Sequence, residues 1–221
     1  MKAQRGIHIA ILGPDGSGKS TVMEAVKARL DDYFGEKIEG HWRPSLLPDI
    51  GVLFGKRKKN SGPEKDPHGQ SAHSFPMSAF RLFYYWLDFW LGWPLRIRKP
   101  VAGNCLVMYD RYAADMWCDP RRYRLKLPSG LLKFFCRLVP QPAFTFVLVA
   151  DAKVIHARKA EIPLEMLQIL VRRYADAAKI FPRTRIVNCD RPVADIADEI
   201  ASVVLEHSRH KAHRNPRFNK S

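Results

Sequence analysis

The run Gly13, Pro14, Asp15, Gly16, Ser17, Gly18, Lys19, Ser20 and Thr21 fits the spacing Gly-x-x-x-x-Gly-Lys-Ser. Glycines at these positions let backbone amides converge on phosphate oxygens, and the N-terminus of a following helix adds a positive dipole. Lys19 is then placed to reach the outer phosphates, and the Ser20 hydroxyl to ligate magnesium. Such a loop grips a nucleoside triphosphate. A second cluster stands in "CLVMYDRYAAD", where Asp110 ends an apolar run and Arg111 follows it. A carboxylate there can assist magnesium or the attacking group, and the arginine can clamp a second anion; a strand-end ion pair is the plainer role for both. The chain's one Asn-Lys pair is Asn219 and Lys220, so no guanine-reading Asn-Lys-x-Asp segment exists, which argues against a GTPase switch.

These groups need a scaffold. Gly6 to Leu12 reads as a strand, Ser20 to Tyr33 as a helix, Lys37 to Trp42 as a second strand, and Ser78 to Trp93 as a long helix. "CLVMYD" and "AFTFVLVA" are continuous apolar runs, as buried parallel strands are. A helix at Pro163 to Phe181, a strand at Arg185 to Asn188 and a helix from Val193 to about His207 complete the alternation. That pattern predicts an α/β fold in three layers, a parallel sheet of about five strands with helices on both faces.

Composition sets limits. The chain has 221 residues, 46% hydrophobic and 27% charged, as expected for one globular domain. Its four cysteines are far apart, which argues against a zinc site or a disulfide framework. The N-terminus lacks the form of an export signal, so a cytoplasmic location is expected. The formal charge of +15 gathers in a Gly/Pro/Ser-rich segment at about 54–74, expected to be a mobile basic loop, and in a basic tail at 207–221, expected to be disordered. Solvation is the ordinary role of such runs; docking on nucleic acid or an anionic membrane surface is the other.

"GPDGSGKST" followed by "YDRY" resembles the thymidylate kinase family of P-loop nucleoside monophosphate kinases, with similarity over most of the chain up to the last helix. The resemblance implies ATP and Mg2+ as cofactors, a five-stranded parallel sheet with a lid, and a homodimer. It implies that Asp15 bonds the acceptor's sugar hydroxyl, that Arg111, with Tyr112 beside it, holds the acceptor's phosphate, and that Asp110 sits by the magnesium. In the lid segment, at about 152–163, Arg158 and Lys159 are the catalytic candidates, and Asp190 and Arg191 in "NCDRP" match the adenine-contacting turn. The chain departs from the family at "HWRP", where only Pro44 matches and Arg43 replaces a glutamate.

The helix "SAFRLFYYWLDFWLGW" divides at 100° per residue. Leu82, Trp86, Phe89 and Trp93 form one side, with Phe83 and Trp90 adjoining; Arg81, Tyr84, Tyr85 and Asp88 form the other. The first side is expected to pack and the second to bind an acceptor, although capping and shielding the core would explain the same polar residues. The expectation is therefore a magnesium- and ATP-dependent phosphotransferase acting on a nucleoside monophosphate or similar small acceptor. A kinase of a sugar or glycan intermediate and a non-catalytic, nucleic-acid-associated ATPase are the alternatives.

Overall fold

The computed structural model describes residues 6–53 and 73–213. The expected basic loop at 54–74 lies outside them except for His73 and Ser74, as do residues 214–221 of the tail. Among the described residues, five strands form one wholly parallel sheet: β1 (Ile7–Leu12), β2 (Glu36–His41), β3 (Cys105–Asp110), β4 (Phe144–Val149) and β5 (Thr184–Asn188). Their order is β2-β3-β1-β4-β5, so β1 is central and all six of its residues are buried. Its side chains alternate between two cores. Ala10 and Leu12 face the core built with α3 (Phe75–Gly92), α6 (Ser129–Leu138) and α8 (Leu164–Ile180), whereas Ile7, Ile9 and Ile11 face α1 (Lys19–Arg29) and α9 (Val193–His213). The period of two along a strand covered on both faces yields the three layers.

Several boundaries differ from expectation. The first helix begins on Lys19 and ends at Arg29, where the Leu30 amide turns back to the carbonyls of Val26 and Lys27. Helix α3 starts earlier, at Phe75, because Pro76 suits a first turn that needs no amide donor. Beyond Gly92 the chain continues as a π-helical turn, Trp93–Arg98, carrying Pro94, and then as α4 (Lys99–Ala102). The last helix runs to His213, so the tail expected from residue 207 is helical in its first part, and Ser208 is buried within it.

Short helices fill the connections: α2 (Ile50–Leu53), α5 (Asp115–Cys118), and α7 (Ala152–Arg158) in the expected lid segment. Asp151 caps α7 by accepting a bond from the Lys153 amide at 2.8 Å. A cavity of about 190 Å3 opens where β1, β4 and β5 begin, lined by His8, Trp93, Gln141 and Arg183 among others. It is at the opposite end of the sheet from the glycine-rich loop.

Candidate active site

The loop leaves the C-terminal end of β1 and closes on α1. Gly13, Gly16 and Gly18 all have positive φ, which L side chains rarely adopt. At Gly13 a Cβ would also stand 2.8 Å from the Leu148 carbonyl oxygen, whereas at Gly18 it would meet nothing within 4 Å. The loop is thus packed against β4 below and open above. Gly16 is bounded by α7, since its Cβ would meet the Ile155 carbonyl at 3.1 Å.

Lys19 is buried, and its Nζ donates to the carbonyls of Gly13 and Pro14, both at 3.0 Å. Burial and the nearby Arg111 charge push its pKa down to about 8, against the opposing pull of Asp15, Asp110 and Asp115. Ser20 and Thr21 are exposed on the first turn of α1. Ser17 is buried, with an Oγ that has no hydrogen-bond partner among the described residues.

Asp110 ends β3 in register with Ile11 of β1 and His41 of β2. Its Oδ2 is 3.6 Å from His41 Nδ1, while its buried Oδ1 has no hydrogen-bond partner among the described residues. Burial alone would raise its pKa, but His41, Lys19 and Arg111 outweigh burial and lower it. An ionised carboxylate with one open oxygen at the end of β3 and an exposed hydroxyl on the first turn of α1 are the kinds of ligand that suit magnesium, which takes few protein ligands and leaves the remainder to phosphates and water.

Arg111 and Asp15 are brought together rather than left open to an acceptor. The Arg111 Nη2 bonds Asp15 Oδ1 at 2.6 Å, and Asp15 Oδ2 is held by Arg122. Burial works to raise the Asp15 pKa, yet Arg111, Arg122 and Lys19 hold it down to about 2. Arg111 itself is buried at a positive φ of 69°, with Nη1 on Asp115 at 3.0 Å and on Tyr174 Oη at 3.1 Å. Asp115, wholly buried, also accepts from Tyr123 and Tyr174, each at 2.7 Å. The expectation of an Arg111 standing free for an acceptor phosphate is therefore corrected. Its guanidinium joins the loop to a buried carboxylate.

Tyr112 is corrected as well. It is buried in the core against His8 and Phe89, and its hydroxyl donates to the Pro140 carbonyl at 2.9 Å.

The polar side of α3 packs inward. Asp88 is fully buried and pairs with buried Arg43 at 3.0 Å, while also accepting from the amides of Ser45 and Leu47. Trp42 and Ser45 have positive φ, so the "HWRP" segment turns sharply and presents amides that need an acceptor. Asp88 supplies it. Arg43 further donates to the Leu47 carbonyl, so neither residue is the acceptor-reading group that was expected. Tyr85 is also buried, with its ring edge-on to Trp42 at 4.7 Å and its hydroxyl accepting from Arg81.

Arg158 turns to the segment after β5, donating to the Cys189 carbonyl at 3.1 Å and to Asp190 at 3.4 Å. Arg191 pairs with Glu199, and Lys159 with Glu161. The structure thus joins the lid segment to the turn expected beside the base. Sequence reasoning gave no role to His41, Trp42, Asp115, Tyr123 or Tyr174. Asp115 had a signal, one helical turn after Arg111 in "DRYAAD"; half-buried Trp42, between Tyr85 and Tyr123, had none.

No protein-family model matches the chain, and no curated protein matches it significantly.

Proposed function

We propose that this chain is an ATP- and Mg2+-dependent phosphotransferase of the thymidylate kinase-like class, moving the terminal phosphoryl group to a nucleoside monophosphate or similar small acceptor. The observation that carries the reading is the open face of the loop. Gly18 looks into empty space, buried Lys19 has two loop carbonyls and the Asp15 carboxylate at 3.8 Å for its ammonium, and Asp110 near it keeps an oxygen unpartnered among the described residues. A buried polar atom without a partner costs about 1–3 kcal/mol, so its persistence here favours a ligand that completes it.

In this reading the donor's phosphates draw Lys19 from the Gly13 and Pro14 carbonyls, and the loop amides hold the remaining oxygens. Ser20 and Asp110 would hold magnesium, whose charge offsets that of the phosphates. Arg111 and Arg122 keep Asp15 ionised and aimed, ready to accept a bond from an acceptor hydroxyl. Arg158 supplies positive charge from the lid side if closure frees it from Asp190, and Asp190 and Arg191 border the donor's base.

A non-nucleotide acceptor, such as a sugar or glycan intermediate, is the second reading. It is favoured by the acceptor side, where Arg43 and Asp88 are consumed by each other and a half-buried Trp42 ring remains.

The test is Lys19→Ala. Phosphoryl transfer should fall by about a thousandfold with an unchanged circular dichroism spectrum, as for other groups that stabilise transferring charge. Near-full activity in the variant would rule the reading out.

A further inference from the structure

The helix side expected to pack is in part bare. Phe83 and Trp90 of α3 are 51% and 46% exposed, and Leu95 beyond it 59%. The ring of Trp86 stacks on Phe83 at 5.9 Å and approaches Trp90 at 6.2 Å. It also meets Phe135 of α6 edge-on at 6.0 Å, beside Phe134, which is 57% exposed. One aromatic strip thus crosses two helices and is continued by exposed Leu138. Contiguous apolar surface of this kind marks an interaction site.

The charge around the strip is of one sign. From Phe89 to Tyr109 there is no acidic residue, but Arg96, Arg98 and Lys99 follow the strip on exposed positions. From Pro120 to Ala150 there is again no acidic residue, and Lys133 and Arg137 stand one turn apart beside Phe134 and Leu138. Between Ser74 and Phe89 the single carboxylate is Asp88, buried under Arg43.

We propose that this face docks on an anionic lipid bilayer, its aromatic strip entering the headgroup boundary and its lysines and arginines pairing with acidic headgroups. Aromatic rings bordered by long cationic side chains suit that interface, because the rings take up the apolar boundary while the stems reach back to the charged surface. A second copy of the chain fits less well. A symmetric dimer through this face sets the same patch against itself, and five cations would meet five cations with no exposed carboxylate from the stretches that carry the strip. Among the described residues no helix is long and apolar enough to cross a membrane, so the face lies on the bilayer rather than through it.

The experiment is co-sedimentation of the full chain with vesicles of phosphatidylcholine alone and of phosphatidylcholine with phosphatidylserine in equal parts. Binding is expected to the mixed vesicles, weakening as salt rises. The combined variant Phe83→Ser, Trp90→Ser, Phe134→Ser should lose at least about tenfold in partitioning, since each buried aromatic group contributes apolar area. Lys133→Gln with Arg137→Gln, which alters only surface charge, should lose about thirtyfold. ATP turnover without vesicles should be unchanged in both variants.

Undiminished binding by either variant would assign the affinity to the basic segments at 54–72 or 207–221 and overturn the proposal. So would equal binding to neutral vesicles. A wild-type dimer in sedimentation velocity that binds no vesicles and is split by the aromatic variant would replace the bilayer with a second copy.

Discussion

The glycine-rich loop and the buried carboxylates Asp88 and Asp115 differ in how their polar atoms are completed. Around the glycine-rich loop, Ser17 Oγ and Asp110 Oδ1 are buried with no hydrogen-bond partner among the described residues, and Lys19 donates to two loop carbonyls with Asp15 at 3.8 Å. By contrast, Asp88 is completed by Arg43 and two amides, and Asp115 by Arg111 and two tyrosines. Groups that hold the molecule together are satisfied from within it. Groups left wanting are those that an external ligand can satisfy. By this criterion Asp88 and Asp115 are structural, and Asp110 is left open for the ligand role that the proposed function gives it.

The largest break in that comparison comes from Asp115→Ala, which removes the buried carboxylate shared by Arg111, Tyr123 and Tyr174 and leaves Arg111 only Asp15 as its counter-charge. Unfolding in urea should show a loss of about 3–5 kcal/mol. A loss below about 1 kcal/mol would mean that the network does not stabilise the fold.

Asp110→Asn should behave in the reverse manner. Turnover should drop by about a hundredfold while the melting temperature falls only slightly, because the attractions that lower the Asp110 pKa are lost but its nearest partner, His41, is exposed and can turn to water. Destabilisation comparable to that of Asp115→Ala would erase the distinction between the two carboxylates.

Asp15 lies between these cases, and acid titration sharpens its place. Its pKa falls from 3.8 to about 2 on folding, so its stabilisation is present above about pH 4 and is lost as pH falls toward 2. The gap in unfolding free energy between the wild type and Asp15→Asn should be about 2 kcal/mol near neutral pH and close at about pH 2.

The smallest effect concerns Lys19. Its depressed pKa of about 8 means that the free protein is uncharged there in alkali, whereas phosphates favour the ammonium. Calorimetry should show ATP binding with uptake of a proton and about tenfold weaker at roughly pH 9 than at pH 7. Affinity independent of pH over that window would place Lys19 away from the phosphates.

The sequence made some of this legible and left the rest hidden for physical reasons. The strand β1, the loop glycines and Lys19 follow from local rules, apolar continuity and a motif whose spacing is a backbone requirement. The parallel sheet followed from alternation. The two faces of α3 did not, because a 100° projection cannot tell a binding carboxylate from a buried one. Asp88 is inside only because the "HWRP" turn offers it Arg43 and two amides from over forty residues away. Tyr112 was misread for a similar reason, since its neighbours His8 and Pro140 are remote in sequence. Arg111 was expected to clamp a ligand anion, but here its anions are Asp15 and Asp115, the ion-pair role that was the plainer alternative.

The most direct measurement is transfer of label from terminally labelled ATP, with magnesium, to a panel of nucleoside monophosphates, sugars and sugar phosphates. The account predicts a labelled acceptor from the wild type and none above background from Lys19→Ala. No labelled acceptor from the wild type, with no measurable ATP binding, would contradict it.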